Sequence, residues 1–212
     1  MKPVTLFISL IFTTGVLHAQ SFSVLLERIQ SLPAGEKTKQ LNEYFDGSHA
    51  VPVIEDNNTV YFIYKGIASS VSVAGDATAW APTLGMQKIA GTGYWFAKAQ
   101  YEADARLEYK IVVDETNWKL DPMNERVAHG GMGDNSELLM PHYVPPFYIY
   151  ERDVVPWGTY SDTTIYSKYL KENRQLRIYL PPRYEVTDAL YPVIIFHDGF
   201  ELFDRMAVRN VL

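Results

Sequence analysis

Cysteine is absent from all 212 residues, so neither a disulfide framework nor a thiolate metal centre is available to the chain. No run of basic residues occurs, and 19 Lys and Arg against 25 Asp and Glu leave a formal charge of −6. That balance excludes a phosphate-backbone partner, so nucleic acid is set aside. No apolar stretch reaches the roughly 20 residues that a membrane helix requires. What is present is 47% hydrophobic, 14% aromatic and 21% charged sequence, the profile of a folded globular chain rather than a disordered or collagenous one. Without disulfides, stability must come from packed cores.

Residues 1–19 read as a cleavable signal peptide. Met1-Lys2 is a short positive start, Val4 to Val16 carries no charge, and Leu17-His18-Ala19 closes the segment on a small residue before Gln20. The expected location is the periplasm or the cell exterior, with no membrane anchor left after cleavage.

Residues 20–50 form a helical N-terminal segment. Leu25, Leu26, Ile29 and Leu32 recur at helical spacing, as do Leu41, Tyr44 and Phe45 after the Pro33-Ala34-Gly35 break. The Glu27-Arg28 and Lys37-Lys39 charges fall on solvated faces. From Thr59 the period changes to two, with Val60, Phe62 and Tyr64, then Val71 and Val73, then Leu107, Tyr109, Ile111 and Val113. This predicts half-buried antiparallel strands. Turns at Lys65-Gly66, Gly75-Asp76, Gly91-Thr92-Gly93 and Asp114–Asn117 divide them at a spacing that suits a β-sandwich over residues 51–145. Asp121-Pro122 reads as one more turn.

Pro141, Pro145, Pro146, Pro156 and Gly158 mark a linker, placed at residues 146–164. Beyond it, Ile165 to Tyr169 and Leu176, Ile178 and Leu180 alternate like a hairpin stopped by Pro181-Pro182. Val193-Ile194-Ile195-Phe196 is continuously apolar, the pattern of a strand buried on both faces of a sheet. A helix is expected from Arg205 to Leu212, with Met206, Val208, Val211 and Leu212 on its buried face. One hairpin, one apolar strand and part of a helix are too little to bury Val193 to Phe196.

Two groups of motifs carry a resemblance. Val73-Ala74-Gly75-Asp76-Ala77-Thr78-Ala79-Trp80, Gly93-Tyr94-Trp95, Leu107 to Asp114, Trp118 and Asp121-Pro122-Met123-Asn124 resemble the early-set, immunoglobulin-like modules of carbohydrate-binding type. Asn135-Ser136-Glu137-Leu138, Ile178 to Tyr184 and Tyr191 to Gly199 resemble the start of the enterochelin-esterase-like esterases, an α/β-hydrolase family. The fold class this implies is an immunoglobulin-like (early-set) β-sandwich followed, at residues 165–212, by the first strands of an α/β-hydrolase domain. The chain departs from these families at Ala77-Thr78-Ala79, where Phe-Asn-Gly is more usual, and at Arg183, where glycine is usual.

The implied activity is carboxylic ester hydrolysis through a serine acyl-enzyme, without a cofactor, on a siderophore-type or glycan ester. No serine here has glycine two positions before and two after it, so the strand-to-helix elbow of such enzymes is missing. The family order of serine, acid and histidine places the triad beyond Leu212, and the chain is expected to be an inactive N-terminal fragment. The resemblance makes Gly199 and Phe200 candidates for the oxyanion-hole amides and gives His197 and Asp198 a loop-shaping role. Trp118 and Trp80 are candidates for stacking on a sugar ring, whereas Trp95, between Tyr94 and Phe96, reads as core. His129 and His142 have no carboxylate at ligand spacing, and no metal is expected. Two alternatives stay open: a non-catalytic glycan-binding or substrate-positioning sandwich, and a sandwich that acts in protein association.

Overall fold

A computed structural model describes residues 21–47, 50–150, 156–205 and 208. Residues 1–19, read above as a signal peptide, lie outside the described residues. Helix α1 (Phe22–Ile29) starts at Ser21, whose hydroxyl oxygen accepts from the Val24 N–H and so satisfies one of the free amides of the first turn. Helix α2 (Ala34–Asp46) follows Pro33. Two antiparallel sheets come next. The first contains β1 (Val53–Glu55), β2 (Thr59–Lys65), β6 (Tyr94–Gln100) and β5 (Gln87–Lys88), side by side in that order. The second runs β4 (Leu84–Gly85), β3 (Val71–Gly75), β7 (Arg106–Val113), β10 (Gly133–Leu139), β9 (Val127–Gly130), with β8 (Asn117–Lys119) also on β7. This is the expected β-sandwich.

Its strands are sorted by the period of two. Val60, Phe62 and Tyr64 of β2 pack with Trp95 and Ala97 of β6 and with Val71, Val73, Tyr109, Ile111 and Val113 of the facing sheet. The register pairs Phe62 with Ala97 and Tyr64 with Trp95, and paired residues share a face. The Phe62 and Tyr109 rings meet edge to face at 4.9 Å across the two sheets. Trp95 is therefore core, as expected.

The other face of β2 differs from the half-buried strand predicted by alternation. Tyr61 and Ile63 are as buried as their neighbours and join a second core with Phe22, Leu25, Ile29, Leu41, Tyr44 and Tyr94. The helices lie over the outer face of the first sheet. Phe22 contacts the rings of Tyr44, Phe45, Tyr61 and Phe96 at centroid distances of 5.7, 5.7, 5.2 and 6.2 Å. Polar ties reinforce this layer: the Tyr94 hydroxyl donates to Asn42 Oδ1 at 2.7 Å, as does Lys65 Nζ at 2.9 Å. Residues Val60 to Tyr64 form an unbroken apolar run, which is the signature of burial on both faces.

The expected hairpin forms, in a shifted frame. Strands β11 (Thr159–Ser167) and β12 (Glu172–Leu180) pair in full register from Thr159 with Leu180 to Ser167 with Glu172. The first strand thus begins six residues before Ile165, in residues read as linker, because Thr159 to Thr164 are mostly β-branched or aromatic and follow the last breaker, Gly158. Lys168 to Lys171 make the turn, with Lys171 at φ +56°.

Val193 to Phe196 stays unburied, as expected of so few neighbouring elements, but the expected strand is not formed. No strand forms there among the described residues, and the four side chains are exposed, Val193 at 85% and Ile195 at 82%. A strand needs a ladder partner for its N–H and C=O groups, and none of the strands described above pairs with this segment. The helix expected from Arg205 starts earlier, as α3 (Gly199–Arg205). Of the residues assigned to its buried face, Val208 is half-buried, and Met206, Val211 and Leu212 lie outside the described residues.

Candidate functional site

Asp198 sits at φ +56° and turns the chain into α3, where the Leu202 N–H bonds to the Asp198 carbonyl at 3.1 Å. Gly199 is the first helical residue, so its amide and that of Phe200 belong to the first turn, whose N–H groups have no partner within a helix. His197 and Asp198 are exposed on the approach to the turn, and Gly199 and Phe200 are half-buried. The four residues singled out in the sequence therefore lie at the turn that leads into α3.

The Phe200 side chain points back to the hairpin. Its ring lies 4.7 Å from the Arg177 guanidinium, which is also 5.1 Å from the Tyr160 ring and 5.5 Å from that of Phe203. Arg177 bonds Asp162 through two donors at 2.7 and 2.9 Å and Asp204 of α3 at 2.8 Å. Asp162 stands directly opposite Arg177 in the ladder, which allows the planar fork to meet the carboxylate on both oxygens. This bond holds the Asp162 carboxyl below its ordinary range. Arg177 thus ties α3 to β12, a role invisible in the sequence because its partners are 15 and 27 residues away.

An open, polar groove of about 480 Å³ is lined by Thr164, Asn173, Arg174, Gln175 and Phe200. The sandwich also reaches this corner. A Cβ on Gly131, in the turn between β9 and β10, would collide with the Glu201 carboxylate. That turn can abut α3 because position 131 has no side chain.

Trp118 lies in the second sheet, on β8, and Trp80 in the turn that follows β3. Trp118 pairs with Val112; since Tyr109, Ile111 and Val113 face the inner core, Trp118 stands on the outer face and is 42% exposed. Trp80 is 37% exposed, and its Nε1 donates to Asp76 Oδ1 at 3.1 Å. Ala79 and Trp80 occupy left-handed backbone at φ +50° and +59°, so glycine, the usual residue at position 79, would relieve strain there. Arg106, Glu108 and Glu137 form an ion-pair row on the same outer face, at 3.2 and 2.7 Å from the arginine.

Asp121-Pro122 forms the expected turn, with the Asn124 N–H bonded to the Asp121 carbonyl at 3.2 Å. What the turn reading did not show is that the Asp121 carboxylate is buried, 2% exposed. Its Oδ2 accepts from the Tyr109 hydroxyl at 2.7 Å and its Oδ1 from the Met123 N–H at 2.9 Å, while its own N–H donates to Ser136 Oγ at 2.8 Å. Asn124 Nδ2 donates to the Tyr109 oxygen and to the Glu137 carbonyl. Burial pushes the Asp121 carboxyl up to about 6, and the two donated bonds only partly offset it. Burial, with the Asp121 charge next, pushes the Tyr109 hydroxyl far up as well. The cluster pins the loop between β8 and β9 to the inner core, and so the strand that carries Trp118.

His129 Nδ1 lies 2.9 Å from Asp134 Oδ1 across the β9–β10 turn, a carboxylate contact that sequence spacing did not reveal. Among the described residues no three His, Cys, Asp or Glu side chains stand close enough to hold a metal. Nor is any described helix long and apolar enough to cross a membrane.

No family profile matches the chain, and no curated protein sequence does. Solved structures do. Enterochelin esterase from Shigella flexneri aligns with 80% of this chain and 52% of its own length, at 17% identity and a TM-score of 0.47. Ferric enterobactin esterase from Salmonella typhimurium aligns with 58% of this chain and 42% of its own, at 19% identity and 0.45. Maltogenic amylase from S. marinus aligns with 43% of this chain and 14% of its own, at 19% identity and 0.32. The chain spans about half the length of the esterases it matches. Among solved structures, then, this chain is similar to the enterobactin and enterochelin esterases.

Proposed function

We propose that this chain is the N-terminal part of an exported carboxylic ester hydrolase of the enterochelin-esterase-like type. A serine nucleophile, acid and histidine beyond Leu212 would act on a siderophore or glycan ester, with no cofactor. The observation that carries the reading is the chain order in the second unit: β12 running into Pro181-Pro182, the apolar segment Val193 to Phe196, and the His197-Asp198 corner that opens α3, with the Gly199 and Phe200 amides in its first turn. In such an enzyme those amides would receive the developing oxyanion, and hydrogen-bond donors fixed in advance at that charge are commonly the largest catalytic contribution. The sandwich would border the substrate through the β9–β10 turn at Gly131. Oxyanion donors without a nucleophile make no acyl intermediate.

The 212-residue chain is therefore expected to release no burst of nitrophenol from p-nitrophenyl acetate. The open reading frame continued past the Leu212 codon is expected to encode a Gly-x-Ser-x-Gly elbow and to give a burst stoichiometric with protein. A stop codon at that point, or a burst from the 212 residues alone, contradicts the proposal.

A non-catalytic glycan-binding sandwich is the second reading, favoured by the exposure of Trp118 and Trp80. Retention of residues 21–145 on insoluble polysaccharide, lost in Trp118→Ala, supports it; no retention leaves the sandwich a structural or substrate-positioning role. The helices belong in that experiment because Phe22, Leu25 and Leu41 fill one of the two cores.

A further inference from the structure

Aspartate is followed by glycine twice in this sequence, at Asp46-Gly47 and Asp198-Gly199, and the fold treats the two steps differently. Asp46 is the last residue of α2, within the helical backbone. Asp198 is exposed in the turn before α3, at φ +56°. Among the described residues no hydrogen bond or ion pair engages its carboxyl. Nothing stands within 4 Å of the place where a Gly199 side chain would begin, so that side of the Asp198–Gly199 peptide bond is open.

We propose that the fold leaves Asp198-Gly199 open to spontaneous rearrangement into isoaspartate, a modification site independent of the esterase reading. The Gly199 amide nitrogen attacks Asp198 Cγ in the protonated carboxyl. An N–Cγ bond closes a five-membered succinimide, the Cγ–OH bond breaks, and the hydroxyl leaves as water with the proton shed by the amide. Water then adds to one of the two imide carbonyls. Where the bond from the nitrogen to the Asp198 main-chain carbonyl carbon breaks, Gly199 stays joined through Cγ, and the product is isoaspartate; where the N–Cγ bond breaks, aspartate returns. Water is the only co-reactant, and nothing is oxidised or reduced.

The position favours the reaction on two counts. Gly199 has no Cβ to crowd the attacking nitrogen. A residue with a Cβ is strained in left-handed backbone, and isoaspartate relieves that strain because the main chain gains a methylene and no longer has to turn through the Asp198 φ and ψ alone. At Asp46 the ring can close only after the end of α2 opens, since closure needs a rotation that the helical backbone opposes. The product matters at this corner. Arg177 ties α3 to the hairpin through Asp204, so the added methylene must be absorbed at the turn, where it displaces His197 and Asp198 relative to Gly199 and Phe200.

The test incubates the 212-residue chain at neutral pH, native or unfolded in guanidinium chloride, and digests it with trypsin. An isoaspartate-specific methyltransferase marks the new carboxyl, and fragmentation of the peptide from Tyr184 to Arg205 distinguishes Asp198 from Asp188 and Asp204. In the native chain isoaspartate is expected to accumulate roughly tenfold faster at Asp198 than at Asp46, which waits on local opening of its helix; in the unfolded chain the two rates converge. Gly199→Ala, which the open space accommodates, is expected to slow the reaction at Asp198 roughly tenfold by crowding the nitrogen and to leave Asp46 unchanged. Equal native rates at the two sites, or a rate at Asp198 that rises on unfolding, would overturn the proposal, since either means that the fold does not leave this step open.

Discussion

Phe22→Ala is expected to cost about 3–5 kcal/mol of folding stability, the range for emptying a fully buried aromatic site. The reason is position. Phe22 is 0% exposed and is the ring at which α1, α2 and the first sheet meet, touching Tyr44 and Phe45 from one helix and Tyr61 and Phe96 from β2 and β6. The rings around it are large and mutually packed, with Phe45 stacked on Tyr94 at 5.7 Å and Tyr44 set against Phe45 at 5.1 Å. They cannot close on the space without breaking those contacts, so the cavity persists. Phe22→Leu refills much of the volume and is expected to cost less than half as much. Val24→Ala, on the exposed side of the same helix, changes stability by no more than about 0.5 kcal/mol. Urea denaturation of residues 21–145 followed by tryptophan fluorescence measures all three. Equal midpoints for Phe22→Ala and Val24→Ala would mean that the helices do not belong to the folding unit.

The pH dependence of stability should be dominated by Asp121. Its carboxyl titrates at about 6 in the fold and near 4 in an unfolded chain. The native state therefore holds the proton more tightly, and the contribution to stability is complete below about pH 4 and lost as pH rises through about 6. Two pH units correspond to about 3 kcal/mol. Above that window the fold carries an ionised carboxylate that is 2% exposed, held by the Tyr109 hydroxyl and the Met123 amide, with no Lys or Arg bonded to it among the described residues. Asp121→Asn removes the titration. Unfolding free energies at pH 4.5 and pH 7.5 should differ between wild type and variant by about 2–3 kcal/mol in their pH increment, with wild type losing more on going up. An unchanged increment would contradict the burial argument.

Much of the sandwich was legible in the sequence because its signals are local. Alternation from Thr59 and turn residues such as Gly75-Asp76 and Asp114 to Asn117 mark strands without reference to anything distant. What was not legible depends on partners far along the chain. Alternation from Thr59 predicted one buried face for β2; the helices that cover its second face come from residues 22–46, and nothing local announces that docking. Asp121 looked like half of an Asp-Pro turn; its burial is set by Tyr109 and Ser136, residues on other strands. The same limit applies to the candidate site. Gly199 and Phe200 were found from motif order, whereas Arg177, which fixes the helix that begins with them, is defined only by Asp162, Asp204 and three rings brought together by the hairpin and α3. Val193 to Phe196 is the reverse case: a strong local strand pattern that stays unpaired because a strand is made by its neighbour.

The central claim is that α1 and α2 fold with the two sheets as one unit, while the apolar segment after β12 stays open. Hydrogen exchange read by mass spectrometry on the 212-residue chain tests it most directly, since exchange rates report local opening element by element. The account predicts that amides of α1 and α2 are protected together with those of β2, β6 and β7, and that Val193 to Phe196 exchange within the earliest time point. Helices that exchange as fast as Val193 to Phe196, or a Val193 to Phe196 segment protected to the level of β2, would contradict it.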